Sequence, residues 1–225
     1  MSNRDPEAWS NDDRAVQPRE RTETTGRPLT DIVYYGFEQL FLLCLPMMWL
    51  VSVTPFSNGV VRIGFAVSIL TIPVLVGFFR RGRLTAGRAW PRFTNADLGV
   101  GGGYGDFLTR SVYFSSVIAL CAYGGGAAEL ITGSVLANVI VAAVVAAFGT
   151  GLFPYLTRTS TPALAGRATT YAVALGAVYF GAAPFMWRFV PEIGVVFLCY
   201  VGLALLDVRP LAGTIREQVG GAGRS

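Results

Sequence analysis

Residues 133–155 read GSVLANVIVAAVVAAFGTGLFPY, a run with no charged side chain. A hydrocarbon core about 30 Å thick needs roughly 17–25 helical residues to cross it, at about 1.5 Å each. The run meets that length and is apolar all the way round, as a membrane span must be and a surface helix is not. It predicts a transmembrane helix and sets the scale for the rest of the chain.

Five further windows meet the same test, at Ile32–Val53, Gly59–Phe79, Ser111–Ile131, Thr169–Trp187 and Phe189–Leu206. Thr169–Trp187 carries no charge, and neither does the stretch from Ser111 to Ala128. The last window is short, starts beside Pro191 and Glu192, and follows its predecessor almost without a linker, so five spans is the alternative count. The composition agrees: 225 residues are 52% hydrophobic and 14% charged, with mean hydropathy +0.50, too apolar for an ordinary soluble surface. The expected fold is all-α, a polytopic membrane bundle of six transmembrane helices.

Arginine supplies the orientation, because all 18 basic residues are Arg and there is no histidine. Five lie before the first window, six between the second and third (Arg80, Arg81, Arg83, Arg88, Arg92, Arg110), two in the fourth-to-fifth connection (Arg158, Arg167) and three after the sixth. With an even number of spans these regions share one side, which the positive-inside rule makes cytoplasmic. Only Arg62 and Arg188 fall near the other face. The expectation is a cell-membrane protein with both termini inside.

Outside the bundle at 32–207, the segments read as follows. Residues 1–31 are polar, with seven acids against five arginines and no apolar leader core, which predicts a disordered cytoplasmic tail. Residues 208–225 end in Gly-Gly-Ala-Gly-Arg-Ser and predict a second flexible tail. The connection 80–110 is Arg- and Gly-rich, and its basic, aromatic first half is expected to lie on the anionic inner leaflet. Mixed charge in the N-terminal tail argues against a nucleic-acid arm, despite a pI near 9.2.

Small residues recur every fourth position at Ala143, Ala147 and Gly151, at Ala172 and Gly176, and at Ala177 and Gly181. Such faces let helix backbones approach closely. Ser111, Ser115 and Ala119 repeat the pattern in the third span, whereas the first span is bulky and expected to be peripheral. Cys44, Cys121 and Cys199 each stand near mid-span and read as small buried apolar residues.

What the chain lacks narrows its chemistry. Without histidine there is no imidazole base, haem ligand or zinc-protease helix, and without lysine no phosphate-loop amine or Schiff base. No catalytic, cofactor-binding or metal-binding set is expected, and no cofactor. Ionisable groups inside a bilayer are the remaining candidates, since burying a charge costs at least about 2.5–3.5 kcal/mol on insertion scales. Glu38 falls about six residues into the first window, where it would bind a cation or couple proton movement; if that span starts at Leu40, it lies among head groups. Arg62, Glu129, Arg188 and Glu192 balance two against two near the outer face, as an ion-pair cap or a solute gate.

Gly103-Tyr104-Gly105-Asp106 resembles the Gly-x-Gly-Asp motif of intramembrane aspartyl proteases and prepilin peptidases. That resemblance implies a second aspartate on another helix, and Asp207 would also stand at the inner face. Two carboxylates sharing a proton would then activate water. The order of the two motifs is reversed relative to the peptidases, and the basic residue usual after the motif aspartate is missing. The other reading makes Asp106 the N-cap of the third span. Three functions follow: an accessory or organising membrane protein, a small transporter using Glu38, and a protease using Asp106 and Asp207. The expected partners are the lipid bilayer and a membrane protein or second copy, not nucleic acid.

Overall fold

The computed structural model describes residues 38–53, 59–88, 90–91, 104–186 and 191–222, and among these it is all-helical. Six helices follow in order: α1 Glu38–Val53, α2 Val60–Arg80, α3 Tyr104–Thr132, α4 Val135–Leu156, α5 Thr161–Met186 and α6 Pro191–Ala222. Each overlaps one apolar window, because a segment poor in polar side chains must pair its backbone groups internally, as a helix does. Among the described residues, four stretches are long and apolar enough to cross a membrane: Val60–Arg80, Phe107–Thr132, Val135–Leu156 and Glu192–Leu211.

The helices outrun the windows at one end of the bundle. α3 begins at Tyr104 rather than Ser111, α5 at Thr161 rather than Thr169, and α6 continues to Ala222, through much of the segment expected to be a loose tail. Hydropathy marks where apolar residues stop, whereas a helix continues as long as its residues tolerate helical backbone. Arg110 and Arg167, expected in connections, therefore lie inside helices, and both are buried. Asp106 is likewise the third residue of α3, within its first turn and not at the cap.

Connections fix an up-and-down order. Gly82 closes α2 in the left-handed region at φ 68°, with its N–H bonded to the Phe79 carbonyl and that of Arg83 to Phe78, a Schellman ending. Only Gly133 (φ 69°) and Ser134 separate α3 from α4, so these two must pack antiparallel. The C-terminal ends of α2, α4 and α6 thus gather with the N-terminal ends of α3 and α5, and this is called the arginine end.

α3 is the centre of the bundle and touches the other five helices. Val112 to Ala119 are all buried, so no side of the helix faces outward there. Small residues make that possible. A Cβ on Gly64 would fall 2.5 Å from the Cys121 carbonyl, and one on Gly149 would fall 2.7 Å from Val117. Gly181 on α5 meets the Tyr123 ring in the same way, at 2.3 Å.

Four packing expectations change. On α4 the buried line is Asn138, Ala142, Ala146 and Thr150, while Ala147 is exposed and Ala143 and Gly151 are half-buried. The face is turned by one residue, about 100°, because Asn138 and Thr150 are the polar positions of α4 and both turn inward. On α5, Gly181 is buried but Ala172 is exposed; the packed line runs through Arg167, Tyr171, Ala174 and Val178. α1 is not wholly peripheral: Cys44, Met47, Leu50 and Val51 are buried, with Leu45 and Trp49 outward. Cys44 and Cys121 are buried and Cys199 is exposed, so the three thiols do not face a common point.

Candidate functional site

At the arginine end, α3, α5 and α6 meet around two opposite charges. Arg167 and Tyr171 stand one turn apart on α5 and so share a face. Arg167 Nε lies 3.4 Å from Asp207 Oδ2 on α6, and the two side chains are 5% and 4% exposed. Thr109 of α3 joins them: Arg167 Nη1 donates to Thr109 Oγ1 at 3.0 Å, and that hydroxyl donates to Asp207 Oδ1 at 2.5 Å. Tyr171 donates to Asp207 Oδ2 at 2.8 Å.

Burying two ions costs several kcal/mol each unless they pair and their remaining polar atoms are bonded. Here the carboxylate is engaged on both oxygens and the guanidinium by a carboxylate and a hydroxyl. Arg167 Nε itself has the ion pair without a hydrogen bond. The cluster ties three helices, and its carboxylate already serves three partners.

Beside it, Arg110 Nη2 donates to the Pro91 carbonyl at 3.0 Å, and its guanidinium lies 5.6 Å from the Phe153 ring centre. Trp90 stacks on Phe79 at 5.2 Å and packs against Phe153 at 5.4 Å. Tyr155 donates to the Ala86 carbonyl, and Arg88 lies over the Tyr155 ring at 4.6 Å. Residues following α2 therefore form a strap held across the ends of α2, α3 and α4.

Farther along, Tyr113 donates to the Gly149 carbonyl at 2.8 Å, while Tyr200 donates to Val112 at 3.2 Å and pairs with the Ser116 hydroxyl. At the opposite end Asn138 Nδ2 donates to the Val60 carbonyl and to Glu129 Oε2, each at 2.7 Å.

The candidates from the sequence are placed as follows. Asp207 is the centre of the buried cluster. Asp106 lies one turn before Thr109 on α3, which brings that turn beside Asp207; its side chain lies outside the described residues, as does that of Glu38, the first residue of α1. Of the four outer charges, Arg188 lies outside the described residues, Arg62 and Glu192 are exposed, and Glu129 is half-buried against Asn138. Among the described residues no ion pair joins Arg62, Glu129 and Glu192. Sequence reasoning missed Thr109, Arg167 and Tyr171. The available signal was the Arg167–Tyr171 spacing together with an acid at the end of the last window.

Fold and cluster define a helical bundle with a buried polar cluster inside an apolar core and many large apolar side chains outside, and among the described residues four helices are long and apolar enough to cross a membrane. Residues 25–160 match the DUF8215 family, described as a domain of unknown function. The match covers more than half of the chain, which belongs to that family. No curated protein and no solved structure matches the chain. The matched region stops in the α4–α5 connection, so Thr109 lies inside it and Arg167, Tyr171 and Asp207 beyond it.

Proposed function

We propose that this chain is a six-span integral membrane protein of the cell membrane, with both termini cytoplasmic, acting as a non-enzymatic accessory or organising component. The observation that carries the role is the saturated cluster: Asp207, the most deeply buried acid among the described residues, is held by Arg167, Thr109 and Tyr171. A transport site needs a charged group that exchanges partners, and a protease needs an acid that shares its proton with a second acid. Asp207 is committed to neither. A protease using Asp106 and Asp207 thus draws less support, whereas a transporter using Glu38 does not depend on Asp207.

The membrane reading is favoured by the apolar side chains on the outer surface. Ser68, Ser116, Asn138, Thr150, Arg167 and Asp207 are buried, whereas Leu136, Ile140, Phe148 and Phe180 are exposed. In water that arrangement would leave a large apolar surface uncovered. The gradient between helices fits too: α3, the least apolar of the four candidate spans, has 61% of its span buried, against 22% for α4, the most apolar. Lipid is the solvent that makes an exposed α4 stable, and its outer face is the surface for a second membrane helix or a second copy. Alternation of α2 to α6 between the same two ends, with α1 packed against α3 ahead of them, supports an even number of spans.

Reporter tags on the two termini are expected to label only on the cytoplasmic side of intact cells. Vesicles reconstituted with the full chain are expected to conduct protons and small ions no faster than protein-free vesicles. Flux that vanishes in Glu38→Gln would replace the accessory role by the transporter.

A further inference from the structure

The strap leaves a cleft of about 360 Å³ beside the end of α2, lined chiefly by Phe79, Leu84, Thr85, Arg88 and Trp90. Its shape depends on two left-handed glycines, Gly82 and Gly87; a Cβ at Gly87 would also come within 2.9 Å of the Tyr155 hydroxyl. The lining divides by chemistry. Phe79, Trp90 and the 41% exposed Leu84 offer an apolar wall, whereas Thr85 and Arg88 offer a hydroxyl and a guanidinium. Exposed Arg83, next to Leu84, adds a second positive charge, and none of the lining residues is acidic.

The Arg88 guanidinium carbon lies 4.6 Å from the Tyr155 ring centre, and a guanidinium packed on an aromatic ring keeps N–H groups able to bond an anion. A free phosphate would use only the polar half of this cleft, and a neutral lipid only the apolar half. An amphiphile with an anionic head uses both. The position suits it, because α2 passes here from apolar residues to Arg80 and Arg81, where a span would meet the head groups.

We propose that the cleft binds an anionic phospholipid, its phosphate on Thr85 and Arg88, with the neighbouring Arg83 adding positive charge, and its glycerol and upper acyl carbons against Phe79, Leu84 and Trp90. The proposal rests on the membrane reading above and adds a lipid class and its site.

The test follows thermal unfolding of the full chain in neutral detergent while phosphatidylglycerol, phosphatidylcholine or inorganic phosphate is titrated. Each arginine near an anionic surface contributes about 1 kcal/mol, so phosphatidylglycerol is expected to protect at concentrations about tenfold or more below phosphatidylcholine. Arg83→Gln is expected to lose about fivefold of that preference, and Arg83→Gln with Arg88→Gln to erase it, with lipid-free unfolding close to wild type. Equal protection by the two lipids, or a preference that survives the double substitution, overturns the site. Protection by inorganic phosphate as strong as by phosphatidylglycerol overturns the lipid assignment. Retention of the wild-type chain in alkali-washed membranes is scored separately, so a failed lipid site is distinguished from a failed membrane reading.

Discussion

Asp207 on α6 lies 3.4 Å from Arg167 on α5, with no more than 5% of either side chain exposed. Removing one partner strands the other charge, a loss of about 3–5 kcal/mol for buried pairs, whereas replacing both by apolar residues of similar size is often neutral. Arg167→Met and Asp207→Leu are each expected to lower the thermal midpoint in detergent strongly, and the double variant to recover most of it. A double variant as unstable as the singles would show that the pair contributes more than mutual compensation.

Asn138 binds α2 and α3 to the start of α4 through its two 2.7 Å bonds, and a Cβ on Gly125 would fall 2.3 Å from its Oδ1. Gly124, one residue earlier, meets nothing within 4 Å. Gly125→Ala is expected to cost about 1–3 kcal/mol by overpacking, whereas Gly124→Ala should be neutral or gain up to about 1 kcal/mol from helix propensity. Chemical unfolding of the two variants side by side measures the contrast, and equal stabilities would refute the placement of Asn138.

The turned face of α4 gives a similar comparison between neighbours. Ala146 is fully buried and Ala147 is exposed. Ala146→Leu is expected to destabilise the bundle by about 1–3 kcal/mol, while Ala147→Leu should leave thermal stability unchanged. The opposite ranking would restore the Ala143–Ala147–Gly151 line as the packed one.

Trp90 pins the strap through two ring contacts, each worth about 0.5–1.5 kcal/mol. Trp90→Ala is expected to release residues 81–88 and to raise the rate of trypsin cleavage after Arg81, Arg83 or Arg88 roughly 5- to 150-fold, in proportion to the lost local stability. Cleavage at the wild-type rate would mean that Tyr155 and Arg110 hold the strap unaided.

Six helices were legible in the sequence because the cost of exposing apolar residues repeats every span and needs no knowledge of neighbours. A tight link between α3 and α4 was legible for the same reason, since Thr132 alone separates the windows ending at Ile131 and starting at Gly133, although the turn itself falls at Gly133 and Ser134. The inward face of α4 was not. A helix apolar all round has no amphipathic stripe, so Ala142 and Ala143 are equivalent until the polar positions Asn138 and Thr150 are placed. Arg167 was hidden by its surroundings: an arginine flanking an apolar window counts as an interface residue, and only the three-dimensional meeting with Thr109 and Asp207 shows that it is buried. Glu129 was weighed against the arginines, yet its partner is the neutral amide of Asn138, which a tally of charges omits.

The buried ion pair also orders events during synthesis. Arg167 leaves the ribosome before Asp207, and at roughly 5–20 residues per second the two are separated by about 2–8 s. Through that interval the guanidinium lacks the carboxylate it pairs with in the folded chain. The final helix therefore acts as a latch, and a ribosome arrested before residue 207 would hold an assembly still awaiting neutralisation.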